Sequence, residues 1–149
     1  MKKSLYMVLG ILIAGLAFQY AAAQDQKTER ALTVKLHYTG TGTVDEKHNI
    51  HVFIFDSPDF VHGGSIPSGM QTATSKNGTV TFSDTGKSPV FVSAVYDPAG
   101  GYDGQSGPPP SGASLGLYHK TPGEPAPVNI DAGASATIDI TFDDRVKMP

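Results

Sequence analysis

The chain has 149 residues, with 14 acidic and 11 basic side chains and no cysteine. That length suits one domain, and the acidic balance argues against nucleic acid, whose phosphates need a basic face. Without cysteine there are no disulfides, no thiolate metal sites and no lipid-modified N-terminal cysteine, and 17 Gly with 11 Pro read as turns rather than helices.

Residues 1–23 read as a secretory signal peptide. Lys2 and Lys3 form a positive start, residues 5–18 are almost wholly apolar, and Ala21, Ala22 and Ala23 form a small-residue cleavage site. The apolar run of about 14 residues falls short of the ~20 that a membrane span needs. Cleavage after Ala23 is expected, and the protein would be exported to the periplasm or beyond the cell. No second apolar stretch follows, so no membrane span is expected in the mature form. Residues 24–31 are polar and read as a flexible lead.

A single domain is expected over 32–144, with 145–149 as a C-terminal tail. Leu32, Val34, Leu36 and Tyr38 alternate with Thr33, Lys35 and His37, the period of a half-buried strand. The run Ile50, His51, Val52, Phe53, Ile54, Phe55 is a strand that becomes apolar on both faces. Two further strands, 71–75 and 79–83, flank Lys76, Asn77 and Gly78. Asn-Gly between alternating runs predicts a tight hairpin. Residues 90–96 alternate again, and 137–142 form the last strong strand. Leu115 to Tyr118 and Val128 to Ile130 are weaker candidates. Seven or eight short strands without an amphipathic helix predict an all-β antiparallel sandwich.

Nearly half of residues 97–127 are Gly or Pro, a composition that cannot sustain a central strand. The stretch reads as a long loop over one end of the sandwich, adding little to a core. Long loops in small domains commonly carry function. Tyr102 and Tyr118, with Phe60, are candidate binding residues there, because rings offer large contact area at low entropy cost. The adjacent prolines 108–110 favour an extended, stiff edge.

Asp97 and Asp103 bracket a glycine pair and are the candidate metal ligands, with calcium as the ion, since calcium takes carboxylate and carbonyl oxygens. The EF-hand pattern is absent, and the competing role for Asp97 is an Asx turn before Pro98. A metal-dependent site would require Asp97, Asp103, His119 and Asp143 to converge. The five histidines lack metal-ligand spacing: His48 and His51 are three apart and fall on opposite faces of an extended chain. Ser65, Ser68 and Ser111 lack a nucleophile elbow, and neighbouring Asp143 and Asp144 diverge, so no catalytic residue is assigned.

The order of motifs resembles the carboxypeptidase regulatory-like domain. The resemblance runs through Gly42-Thr43-Val44-Asp45, the strand at 50–55, Thr72-Ala73-Thr74, Asn77-Gly78-Thr79-Val80-Thr81-Phe82 and Val90-Phe91-Val92-Ser93-Ala94. It covers about residues 32–96, with the strand at 137–142 in the expected place. Gly86-Lys87-Ser88-Pro89 departs from the family's Pro-Gly-x-Tyr, and the stretch at 97–127 is longer than usual. The resemblance implies a transthyretin-like (prealbumin-like, Ig-like) sandwich and a non-catalytic module that binds a protein or glycan or serves an envelope assembly. The alternative is a secreted enzyme or calcium-dependent protein using the loop at 97–119. The hydroxyisourate hydrolase ending Tyr-Arg-Gly-Ser is missing, so that activity is not implied.

Overall fold

The computed structural model describes residues 28–149; the expected signal peptide and the first part of the lead lie outside the described residues. Nine strands follow in chain order. They are β1 (Ala31–Tyr38), β2 (Ile50–Phe55), β3 (Gly69–Ala73), β4 (Thr79–Phe82), β5 (Phe91–Tyr96), β6 (Ser114–Leu117), β7 (His119–Thr121), β8 (Glu124–Pro125) and β9 (Ser135–Phe142). A single 3-10 turn, Pro58–His62, follows β2. The protein is all-β, and among the described residues no helix is long and apolar enough to cross a membrane.

The alternation read in β1 and β9 is present in both. Leu32, Val34, Leu36 and Tyr38 are buried, as are Ile138, Ile140 and Phe142, while Lys35, Asp139 and Thr141 face solvent. The lead ends earlier than expected. Ala31 already belongs to β1, and Arg30 is held by its backbone N–H to Asp84 (3.0 Å) and its side chain to the Ile130 carbonyl (3.1 Å).

Three sheets form, in the orders β4-β1-β9, β3-β2-β5-β6 and β7-β8. One pairing corrects the expectation of an antiparallel arrangement throughout: β1 and β9 run parallel, in register from Ala31 opposite Ser135 to Tyr38 opposite Phe142. Parallel neighbours need a long crossover. Here almost the whole domain lies between the two strands, so the chain's first and last strands can close side by side. Val128 makes only a single bridge to Val90 rather than a strand.

The expected hairpin at Asn77-Gly78 does not form. β3 pairs with β2 and β4 pairs with β1, so the turn is a corner that carries the chain from one sheet to another. The Gly78 N–H donates to the Ser75 carbonyl (3.1 Å), which places Lys76 and Asn77 at the turn's centre and Gly78 at its last position. Neither Asn77 nor Gly78 has positive φ. Glycine is favoured there for a different reason: a Cβ on Gly78 would stand 2.8 Å from the Ala73 Cβ. Asn-Gly therefore serves here as the end of a turn with ordinary φ, where Gly is also common.

The two central strands of the four-stranded sheet, β2 and β5, are buried on both faces. Ile50, Val52 and Ile54 of β2, with Val92, Ala94 and Tyr96 of β5, meet Leu32, Val34, Leu36 and Ile140 of the three-stranded sheet in one apolar cluster. The opposite face carries a second cluster of Phe53, Phe55, Phe91, Val95 and Ala113, edged by Phe60, Met70, Tyr102, Leu115 and Met148. This corrects the reading of the Gly/Pro-rich stretch. Residues 97–113 lie across the outer face of the sheet and supply part of its cover, and 114–125 contribute three short strands. The segment at 145–149 is also engaged. The Gly112 N–H donates to Met148 O (2.9 Å), the Met148 N–H donates to Ala113 O (2.8 Å), and the Leu115 N–H donates to Val146 O (2.9 Å).

Candidate functional site

The loop after β5 is shaped by its own carboxylates. Asp97 Oδ1 accepts the Ala99 N–H (3.0 Å), and the Asp97 carbonyl accepts the Gly100 N–H (3.2 Å), which is the Asx turn that the Asp-Pro pair permits. Gly100 and Gly101 then take φ of +69° and +98°, conformations open to glycine at little cost. Further along, Asp103 Oδ1 accepts the N–H groups of Gln105 and Ser106, both at 2.8 Å, and Oδ2 accepts the Ser106 hydroxyl. The Ser106 hydroxyl and these amides favour the ionised form and hold the Asp103 carboxyl down at about 2.

Tyr102 sits between the two turns and fastens the loop to the sheet. Its ring meets His51 edge-on, with centroids 5.0 Å apart, and lies 6.5 Å from Phe53. Its hydroxyl donates to the Gly107 carbonyl (3.2 Å), and its own carbonyl accepts from His51 Nε2 (2.8 Å). Burial, and then the Asp103 charge, push the phenol upward from its ordinary value.

Two clefts flank this ridge. One, of about 520 Å3, is lined by Asp97, Tyr102, Asp103, Ser106, Pro108 and Ser111 among others. The second, of about 440 Å3, lies between 99–103 and the segment Glu46, Lys47, His48 and Asn49. In that segment Asp45 Oδ1 accepts the Lys47 and His48 N–H groups and contacts His48 Nδ1 at 3.0 Å. These hydrogen bonds lower the Asp45 carboxyl, the His48 amide most.

The candidate binding aromatics do not form one patch. Tyr102 and Phe60 both edge the outer cluster, Phe60 stacked on Phe55 with centroids 4.1 Å apart. Tyr118 packs instead against the inner cluster and is tied by its N–H to Val92 O (3.0 Å). Asp97 and Asp103 line the same cleft. His119 lies exposed in β7, and Asp143 pairs with Arg145 (2.6 Å). Among the described residues no three His, Asp or Glu side chains gather as a metal-holding group.

Two polar residues to which the sequence assigned no role, Asp144 and His51, are anchored in the structure. Asp144, just after β9, accepts from Tyr38 Oη and Ser114 Oγ (2.8 Å) on one oxygen, and from the Thr41 N–H (2.9 Å) and hydroxyl (3.1 Å) on the other. Tyr38 and these donors hold its carboxyl well below the usual range, and burial with the Asp144 contact raises Tyr38 to about 12. The network ties the ends of β1 and β9 to the start of β6. The second site is His51, buried at 3% exposure in β2. A histidine inside a run apolar on both faces was the available signal, since its ring had to enter a core. Comparison with family models, with curated proteins and with solved structures returns no match for this chain.

Proposed function

We propose that this chain is an exported, non-catalytic module of the carboxypeptidase regulatory-like type, a transthyretin-like sandwich that binds an envelope protein or glycan. The observation that carries the binding role is the cleft of about 520 Å3 along the 97–112 loop. Its wall combines one aromatic ring, prolines, hydroxyls and two carboxylates, a mixture suited to a partner with both apolar and hydrogen-bonding groups. The loop is pre-shaped by Asp97, Asp103 and Tyr102, so little ordering entropy remains to oppose binding. Two sheets sharing one apolar cluster support the sandwich, and the charged, apolar and small-residue order of 1–23 supports export. Calcium at Asp97 and Asp103 has less support, because both carboxylates already accept from their own loop.

The test joins cell fractionation with binding. Exported material should begin near Gln24, and glycan arrays and cross-linking in envelope fractions should yield a partner. Ser111→Arg, at the exposed rim, should weaken that binding at least tenfold without lowering the melting temperature. Equal binding by the variant, or a mature chain that retains residues 5–18, would overturn the reading.

A further inference from the structure

The side of His51 that faces away from Tyr102 has no explanation in the fold. Nε2 lies 2.8 Å from the Tyr102 carbonyl, and a carbonyl can only accept, so Nε2 carries the proton in the neutral ring. Nδ1 is then a bare lone pair. It is fully buried and has no hydrogen-bond partner, the one such side-chain atom among the described residues. Buried polar atoms left unpartnered are uncommon and point to a missing water or ion.

What surrounds Nδ1 identifies the missing species. A Cβ placed on Gly104 would stand 3.0 Å from His51 Nδ1 and would overlap Met70 Sδ, so the imidazole nitrogen and the thioether both lie close against Gly104. The pairing register explains why. Thr72 lies directly opposite His51 and Met70 opposite Phe53, so Met70 is the diagonal neighbour of His51 on the outer face of β2 and β3. Gly104 has φ of +75° and closes over the pair without a side chain. A water would need two or more polar partners, and a thioether is a weak one. Imidazole nitrogen with thioether sulfur is instead a soft donor pair.

We propose that His51 Nδ1 and Met70 Sδ bind a soft monovalent cation, copper(I), beneath the 97–112 loop. The remaining contacts agree with this assignment. A metal-bound histidine characteristically donates its other ring N–H to a carbonyl or carboxylate, and His51 already donates to Tyr102 O. The loop also brings the carboxylates of Asp97 and Asp103 close enough to favour positive charge at the ring. Those two groups are not ligands; they offset the cost of placing a cation where water is excluded. Zinc is disfavoured, because its structural sites take four ligands.

The experiment uses the mature chain under reducing, oxygen-free conditions with copper(I), and silver(I) as a redox-inert surrogate. Competition against a copper(I) chelator should show one site. Met70→Leu keeps the volume and removes the sulfur, and should weaken binding at least tenfold while Met148→Leu does not. X-ray absorption on selenomethionine-substituted protein should show a copper–selenium distance together with a nitrogen neighbour, and that measurement needs no variant to fold. No binding by the wild type, equal binding by Met70→Leu, or a copper shell without selenium would each overturn the assignment.

Discussion

His51 donates from Nε2 to the carbonyl of Tyr102 across 2.8 Å, joining the start of β2 to a loop 51 residues later. This contact fastens the loop's backbone to a strand that is buried on both faces. Either protonation state of the ring can donate from Nε2, so what protonation costs is the burial of a charge rather than the loss of this bond. Burial lowers the affinity of that ring for a proton, although Tyr102 O, Asp103 and Asp97 oppose the shift. The folded protein therefore prefers His51 neutral, while the unfolded chain titrates at about 6.5. A group whose folded value is depressed binds more protons when unfolded. Its stabilising effect is complete above about pH 6.5 and is lost as pH falls from there toward the folded value.

The first prediction follows from that sign. Melting temperature should fall between pH 6.5 and the lower folded value, while Tyr102 stays packed on the neutral ring over that range. His51→Gln, which can still donate to Tyr102 O, should flatten this part of the profile. An unchanged slope in the variant would assign the pH dependence to other groups.

Asp144 gives the second prediction. Asp144→Asn replaces one acceptor oxygen by a donor, leaving Tyr38, Ser114 or Thr41 unsatisfied at a cost of about 1–3 kcal/mol, reduced by the site's partial exposure. Urea denaturation should report the loss. The carboxyl is depressed, so its contribution is complete above about pH 4 and fades as the pH falls below that. In the variant the Tyr38 phenol should titrate below its value of about 12, yet above an exposed tyrosine, because burial is the larger cause of its shift. Ultraviolet absorbance at alkaline pH reads this directly.

The third prediction tests the double burial of the central sheet. Val92 faces the inner cluster and Ser93 the outer one, at 0% and 3% exposure. Val92→Asp and Ser93→Asp should both cost several kcal/mol, because each places an unpaired charge out of water. Thr72→Asp on exposed edge strand β3 should change stability by about 0.5 kcal/mol or less. If Ser93→Asp behaves like Thr72→Asp in chemical denaturation, the outer face is open to solvent.

That contrast also marks what the sequence could reveal. β1 and β9 were legible because one face of each meets water, which forces alternation. The apolar run at 50–55 signalled double burial, whereas 90–96 read as a one-faced alternation although all of β5 is buried, and nothing local identified the second cover. Phe53 and Val95 are covered by a segment whose Gly and Pro content resembles that of an open loop. Asn77-Gly78 fits two turn geometries, and only the close approach of Ala73 selects the corner. The parallel closure of β1 on β9, and the meetings of Tyr38 with Asp144 and His51 with Tyr102, join residues distant in sequence. Of the candidate site, Asp97, Tyr102 and Asp103 were legible as a turn-rich unit, whereas Tyr118 could be assigned to the inner cluster only from its three-dimensional packing.

The last prediction concerns the loop as cover. Composition alone implies that deleting residues 100–112 and joining the ends leaves the domain intact. The packing predicts otherwise. Tyr102 would go, uncovering His51 and Phe53, and Ala113 and Leu115 would lose the turn that positions them beside Met148. Each large apolar side chain newly exposed costs about 1.5–3 kcal/mol, and a small domain holds only about 5–15 kcal/mol in total. The deletion should therefore lower the melting temperature sharply and raise binding of a hydrophobic dye. Tyr102→Ala, which keeps the backbone path, should cost less, about 1–3 kcal/mol, because its ring is only half-buried. Circular dichroism melts of the three proteins separate the cases. A deletion variant that melts like the wild type would show that the outer cluster does not depend on the loop, and would return residues 97–112 to the role of a dispensable connector.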